Sequence, residues 1–419
     1  MRCDMGRKMK DSGVEWIGEI PEDWKIVSLK RLCSFEAGKT LSSNEIAPKG
    51  AYKVYGGNGL RGYYSQYNHE GDCLLVGRQG ALCGNVHEVS GKFWATEHAW
   101  ITTKTPVVDA GYLFELLKGM NLNQYASNAA AQPGLSVGVV ANVKTVLPPK
   151  NEQEKIANKL HNKCVVIENL IEKNKEIIET YKSLKQSLIT RAVTKGVRGK
   201  REMKDSRVKR WGMIPNNWDF VRLKYCITNV SSGLSAVTDD DTSGESGKFV
   251  LRTSAVSTGI FIPSEVKAVL KSAEVRLKCP VEGNTLIVSR MNTSNMVGSC
   301  AYVDRDYENI FLPDKLWKIH LKKEYNVKFF WYAINSIPAR AYYSEISTGA
   351  SASMQNITMA DFGNNKIALP PIDEQDCIAS YLDEKCTAID TLIAKKEQLL
   401  TELEAYKKSL IYEYVTGKR

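Results

Sequence analysis

The stretch LPPKNEQEKIANKLHNKCVVIENLI at residues 147–171 returns as LPPIDEQDCIASYLDEKCTAIDTLI at residues 369–393, an offset of 222. The match continues without a gap through Ser187-Leu188-Ile189 and Ser409-Leu410-Ile411. Each copy reads as a long helix. Pro148-Pro149 and Pro370-Pro371 stop a preceding strand and suit a helix start, and acidic residues in the first turn favour the helix N-terminus. Residues then fall at steps of three and four: Ile167, Leu170, Asn174, Ile177, Tyr181, Leu184, Leu188 in one copy. The other gives Ile389, Leu392, Lys396, Leu399, Leu403, Tyr406, Leu410. That period of 3.5 is a coiled-coil seam. No Pro or Gly interrupts 152–192 or 373–415, so each helix is about 60 Å long at ~1.5 Å per residue. The other copy is the natural partner along the seam, with the polar Asn174 and Lys396 expected to set register at some cost in stability.

Working outward, a second block is also written twice. Asp11-Ser12, Val14, Gly18, Ile20-Pro21, Trp24, Val27 and Leu29-Lys30 recur 194 residues later as Asp205-Ser206, Val208, Gly212, Ile214-Pro215, Trp218, Val221 and Leu223-Lys224. Between the blocks the halves diverge. Gly71-Asp72 and Leu74-Leu75-Val76-Gly77-Arg78 still resemble Gly283-Asn284 and Leu286-Ile287-Val288-Ser289-Arg290, now at an offset of 212. A scaffold written twice therefore flanks two middles, about 31–145 and 225–367, that have drifted apart. Their short apolar runs, Asp72–Val76 and Thr285–Val288, read as strands. Gly111–Leu122 and Val327–Ser336 carry helical spacing, while Gly56-Gly57-Asn58-Gly59 and Ser231-Ser232-Gly233 mark loops. Both middles are mixed α/β.

The remaining composition is that of an ordinary globular protein of 419 residues, with 43% hydrophobic and 25% charged residues. No run approaches the ~18 uncharged apolar residues of a membrane helix, and the polar N-terminus is no secretory signal. Ten cysteines form no CxxC pair, which points to a reduced, cytoplasmic protein. The net charge of +10 is uneven. Residues 195–224 hold ten basic residues against three acidic ones. This run reads equally as a solvated linker or as a meeting point for a phosphate backbone.

The chain carries few motifs of catalytic or metal-binding chemistry. There is no phosphate-binding GxxxxGKS/T loop, and the Gly56–Gly59 cluster reads as a surface turn. None of the five histidines forms an HExxH or similar pair, and Asp239-Asp240-Asp241 reads as an acidic loop. What repeats is a base-reading residue type. Arg78 and Arg290 follow equivalent strand-like runs and open polar loops containing Gln79 and Asn292. Arg pairs bidentately with guanine, and Asn or Gln with adenine. An internal salt bridge is the alternative for each arginine. Asn58 and Arg61, in the Gly-rich loop, are weaker candidates of the same kind.

Taken together, the doubled Asp-Ser-x-Val…Ile-Pro-x-x-Trp openings and the doubled Leu-Pro-Pro-x-x-Glu-Gln helix starts resemble the DNA-specificity subunit of type I restriction-modification systems, over nearly the whole chain. The fold the resemblance implies is mixed α/β (α+β). Two target-recognition domains are joined by two long antiparallel coiled-coil helices in a pseudo-two-fold internal repeat. On the repeat boundaries, residues 1–10 form an unmatched polar extension, 11–150 the first recognition domain and 151–195 the first spacer helix. Residues 196–210 form a basic linker, 205–372 the second domain and 373–419 the second helix. The resemblance further implies that each domain reads one half of a gapped, asymmetric site on double-stranded DNA, while the helices set the gap. They would also dock two modification subunits, which methylate adenine with S-adenosylmethionine. Up to two restriction subunits would bind ATP and magnesium. The chain itself would hold no cofactor or metal and be non-catalytic. The competing readings are a coiled-coil adaptor that never reads DNA, and an enzyme with an unfamiliar site.

Overall fold

The computed structural model describes residues 7–127, 133–234, 238–239, 247–271, 274, 277–351 and 354–419. Residues 1–6 of the expected extension and Asp240-Asp241 of the acidic run lie outside these. The chain forms two compact units, residues 1–176 with 397–419, and residues 177–396. Two long helices, Lys150–Lys195 and Ile372–Val415, each contribute to both units.

Inside each unit the helices pair antiparallel. In the first, Glu168 meets Lys407, and Ile156, Leu160, Cys164, Ile167 and Ile171 share a core with Leu410, Ile411, Tyr414 and Val415. In the second, Lys185 Nζ lies 2.6 Å from Asp390, and Ile189, Ala192 and Val193 share a core with Ile378, Ala379, Leu382 and Cys386. Half of the expected seam is kept, with Ile167, Asn174, Ile389 and Leu410 buried and Leu403 packed on the core, while the alternate positions shift by one residue. Ile167, Ile171, Asn174 and Ile178 are buried, whereas Leu170, Ile177 and Leu184 are exposed. On the other helix Leu400 and Leu403 pack on the first unit's core, while Leu392 and Tyr406 are exposed. Residues 170 and 171, 177 and 178, 392 and 393 are all apolar, so periodicity alone does not choose within each pair. Asn174 is buried, and its amide donates to Leu170 O of its own helix at 2.7 Å while Oδ1 has no partner.

Each unit repeats one two-sheet architecture. In the first, strands 33–37, 99–104, 73–77 and 86–89 form an antiparallel sheet in that order. In the second unit, 227–232, 316–321, 285–289 and 300–303 do the same. The central strands Cys73–Gly77 and Thr285–Ser289 are almost wholly buried, because helices and a second sheet cover both faces, which explains their unbroken apolar runs. The second sheet contains one parallel pair in each unit, 92–95 on 52–56 and 249–251 on 307–311. Helices Ala110–Gly119 and Val327–Ile334 occupy equivalent places, capped by Asp109 and Asn326.

The unmatched extension needs correcting. Arg7, Met9 and Lys10 recur at the same offset of 194 as Arg201, Met203 and Lys204. Met9–Asp11 pairs with Glu19–Pro21, and Met203–Asp205 pairs with Met213–Pro215 in the same register. Residues 7–10 are therefore folded members of the repeat, and so are residues 203–205 within the expected basic linker. The mixture of identities and substitutions at 7–10 is too sparse to read without the hairpin that explains it.

Candidate nucleic-acid interface

In the first unit four segments converge where the central strand ends. The strand stops at Gly77, where a Cβ would lie 2.2 Å from Gly57 O, so no side chain fits. Arg78 follows with its backbone held on both sides. Its N–H donates to His98 O at 2.8 Å, and its carbonyl accepts from Leu135 N–H at 2.8 Å. Gln79 Oε1 lies 2.8 Å from His98 Nδ1. On the adjoining Gly-rich turn, Asn85 Nδ2 donates to Asn58 Oδ1 at 2.9 Å. The Arg61 stem lies over Gly56, and its guanidinium donates to Ser43 Oγ at 3.3 Å. Arg78, Gln79, Asn58 and Arg61 are thus gathered at one rim, with Arg78 half-buried and the other three exposed. Among the described residues Arg78 is in no ion pair.

Arg290 has the matching backbone arrangement in the second unit. It donates to Lys315 O at 3.1 Å and accepts from Ile357 N–H at 3.1 Å. Its guanidinium lies 5.7 Å from the Trp317 ring centre, and Nε donates to Asn356 Oδ1 at 3.4 Å. Stacked and tethered through Nε, the group has its Nη fork oriented in advance, which lowers the entropy cost of gripping an acceptor. Asn292 is differently employed. Its Nδ2 donates to Ser257 Oγ at 2.9 Å and its Oδ1 accepts from Thr293 N–H at 2.9 Å, so both ends of the amide are bonded inside the unit.

Sequence reasoning passed over the segment that backs each arginine. Gln79 bridges to Gly134, and Met291 pairs with Asn356, again 222 apart. A buried apolar residue and a hydroxyl residue follow at both places, Leu135-Ser136 and Ile357-Thr358. That pattern was a usable signal. His98, Asn85 and His87 also belong to the first rim. Desolvation holds His87 below the usual imidazole range, and its Nε2 is buried without a partner. A neutral ring is thus favoured there at neutral pH.

Several buried cysteines are chemically quiet. Burial pushes the thiol pKa of Cys33 up to about 12 and those of Cys73 and Cys226 up to about 11, and a protonated thiol is a poor nucleophile. Among the described residues no cluster of three or more His, Cys, Asp or Glu is placed to hold a metal ion. Among the described residues no helix is long and apolar enough to cross a membrane.

The chain has known relatives. The family described as "Type I restriction modification DNA specificity domain" matches residues 21–180 and 215–405. The MjaVIII specificity subunit of Methanocaldococcus jannaschii is 24% identical across 95% of this chain and 93% of its own length. The EcoprrI specificity subunit of Escherichia coli is 42% identical over 134 residues, covering 31% of this chain and 33% of that protein. A solved structure described as the basis of complex assembly and conformational transition of the type I R-M system superposes with a TM-score of 0.66. It is 14% identical, covering 94% of this chain and 98% of that one, and shares the fold.

Proposed function

Because this chain belongs to the type I restriction modification DNA specificity family, its task is sequence recognition on DNA, and we propose how that task is divided along it. Each unit's two-sheet domain reads one half of a gapped site on double-stranded DNA. The observation that carries this is the shared placement of Arg78 and Arg290, each at the end of an equivalent central strand with the same backbone tethers, amid loops of different sequence. A fixed cation position with varied neighbours lets two halves of one chain read two different half-sites, so the target need not be a palindrome. Arg78 and Arg290 are the principal base readers, with Gln79, Asn58 and Arg61 beside the first. Asn292 acts by shaping the loop that follows Arg290, given that both ends of its amide are spent internally.

The long helices set the gap and carry the partners. Leu170, Ile177 and Leu184 stand exposed at seven-residue spacing on one helix, and Leu392 and Tyr406 fourteen apart on the other. Apolar residues on two outward faces of related sequence suit two copies of one modification subunit. Those partners would bind S-adenosylmethionine and supply methyl transfer. Up to two restriction subunits would add ATP- and magnesium-dependent cleavage. This chain would be non-catalytic, hold no cofactor or metal of its own, and work in the cytoplasm, where its thiols stay reduced.

The test is to co-express the chain with its modification subunit and map N6-methyladenine across the host DNA, with the modification subunit alone as control. A gapped, asymmetric motif that depends on this chain is the expected result. A stable complex that adds no motif would overturn the reading in favour of a protein-binding adaptor.

A further inference from the structure

The basic run at 195–224 does not act as one patch. Arg198 and Arg201 are taken up by Asp373, at 2.9 Å, and Glu374, at 2.6 Å. Arg210, Arg222 and Lys224 instead turn toward Lys366, from a strand 142 residues further on, and line one open cavity of about 530 Å³ with Trp211 and Tyr342. Glu345, itself exposed, pairs with Arg210 at 3.0 Å. Among the described residues, Arg222, Lys224 and Lys366 are in no ion pair. Four cations around one cavity repel one another unless an anion joins them.

The first unit supplies an internal comparison. The equivalent positions there are Trp16, Ser28, Lys30 and Lys144. The Trp16 indole donates to Lys144 O at 3.1 Å, and Lys30 Nζ donates to Asn142 Oδ1 at 2.9 Å. The shared scaffold therefore folds without the four-cation arrangement.

We propose that this cavity grips a phosphate of the DNA backbone flanking the half-site read by the second unit, a contact the first unit lacks. The inference rests on the DNA-recognition reading above and adds a non-specific, one-sided anchor to it. Its position fits. Asn356, bonded to Arg290, leads through the Thr358 cap into the helix Met359–Asn364, which ends at the cavity. The neighbouring helix Ile337–Ile346 carries Arg340, which donates to Asn295 O in the loop after Arg290 at 2.8 Å, and Tyr342, which lines the cavity. Six helical residues span about 9 Å, or roughly three base pairs at ~3.4 Å each. A duplex held at Arg290 and running along this helix would present backbone at the cavity. Arginine forks suit phosphate oxygens, and such contacts position a protein without reading sequence.

The experiment uses the full chain in complex with its modification subunit and a duplex carrying the mapped motif. Affinity is measured against salt concentration for the wild type, for Arg222→Gln with Lys366→Gln, and for Lys322→Gln with Lys323→Gln as a charge control on the same unit. The expected result is a log–log salt slope shallower by about 1 for the cavity pair, an unchanged methylation motif, and a wild-type slope for the control. Equal slopes for wild type and cavity pair would overturn the proposal, as would an equal loss in the control, which would mark a general field effect. Loss of subunit co-purification with an unchanged DNA slope would also overturn it, assigning the cavity to an acidic protein surface. If the wild-type complex itself produces no motif, it is the DNA-recognition reading that fails, and the phosphate contact with it.

Discussion

The Trp218 indole N–H donates to Glu374 Oε2 at 2.9 Å, across 156 residues of chain. Trp24 does the same to Glu152 in the first unit, also at 2.9 Å. The two blocks that the sequence writes twice are therefore bonded to each other within each unit. The neighbouring glutamine completes the joint. Gln153 donates to Pro148 O and accepts from Asp109 N–H, and Gln375 donates to Pro370 O and accepts from Asn326 N–H. One dipeptide thus ties each hairpin and each capped domain helix to the start of a long helix.

Replacing Trp218 with Phe keeps an aromatic ring but removes the donor to a buried carboxylate and leaves part of a fully buried indole unfilled. A hydrogen bond to a charged group contributes about 2 kcal/mol. Urea denaturation should show a loss of at least that order for Trp218→Phe, with little change in the slope.

Acid should loosen the first joint. Arg7, bonded to the Glu152 carboxylate, holds its pKa below the usual carboxylate range against the opposing effect of burial, with Trp24 helping. A depressed folded pKa contributes stability that is fully present above the unfolded value, about 4.3. It disappears as pH falls through the folded value. The stability difference between wild type and Glu152→Gln, followed by thermal melts, should therefore be constant from pH 7 to about 5 and shrink on further acidification.

Arg78→Ala and Arg290→Ala should each relax specificity in one half-site only, by ~1–3 kcal/mol for a good base contact. Methylation mapping reads this directly, since the motif should lose letters on one side of the gap and keep the other side intact.

Gly77→Ala should act as a loss of the first half-site. The added methyl would meet the Gly57 carbonyl and force apart the turn and strand end that hold Arg78. Overpacking of this kind costs about 1–3 kcal/mol, and the motif's second half should survive.

Adding or deleting whole turns in a long helix should change the length of the gap and leave both half-sites as they were. Altered half-site letters in the methylation map would remove the helices from the role of spacer.

Much of this molecule was legible before its fold was known. The repeated Pro-Pro helix starts and the uninterrupted helices depend on interactions within a few residues of chain, and local spacing reports these faithfully. The two buried strands showed as unbroken apolar runs because both their faces are covered. The matching places of Arg78 and Arg290 at two strand ends could be read because each follows a strand whose apolar run survived divergence. The hydrogen bonds of Asn292 could not, because Ser257 is 35 residues away and nothing in the spacing points to it.

What the sequence by itself determined is therefore the duplicated scaffold, the type and order of its elements and the position of one arginine in each half. Only the tertiary structure decided which of two adjacent apolar residues, such as Leu170 and Ile171, turns inward. It also decided that residues 7–10 belong to the repeat, and that Arg210, Arg222, Lys224 and Lys366 share a cavity. The physical reason is range. Periodicity records the direction of a side chain relative to its own element. A partner arriving from a distant strand is selected by packing and charge in three dimensions, where separation along the chain carries no information.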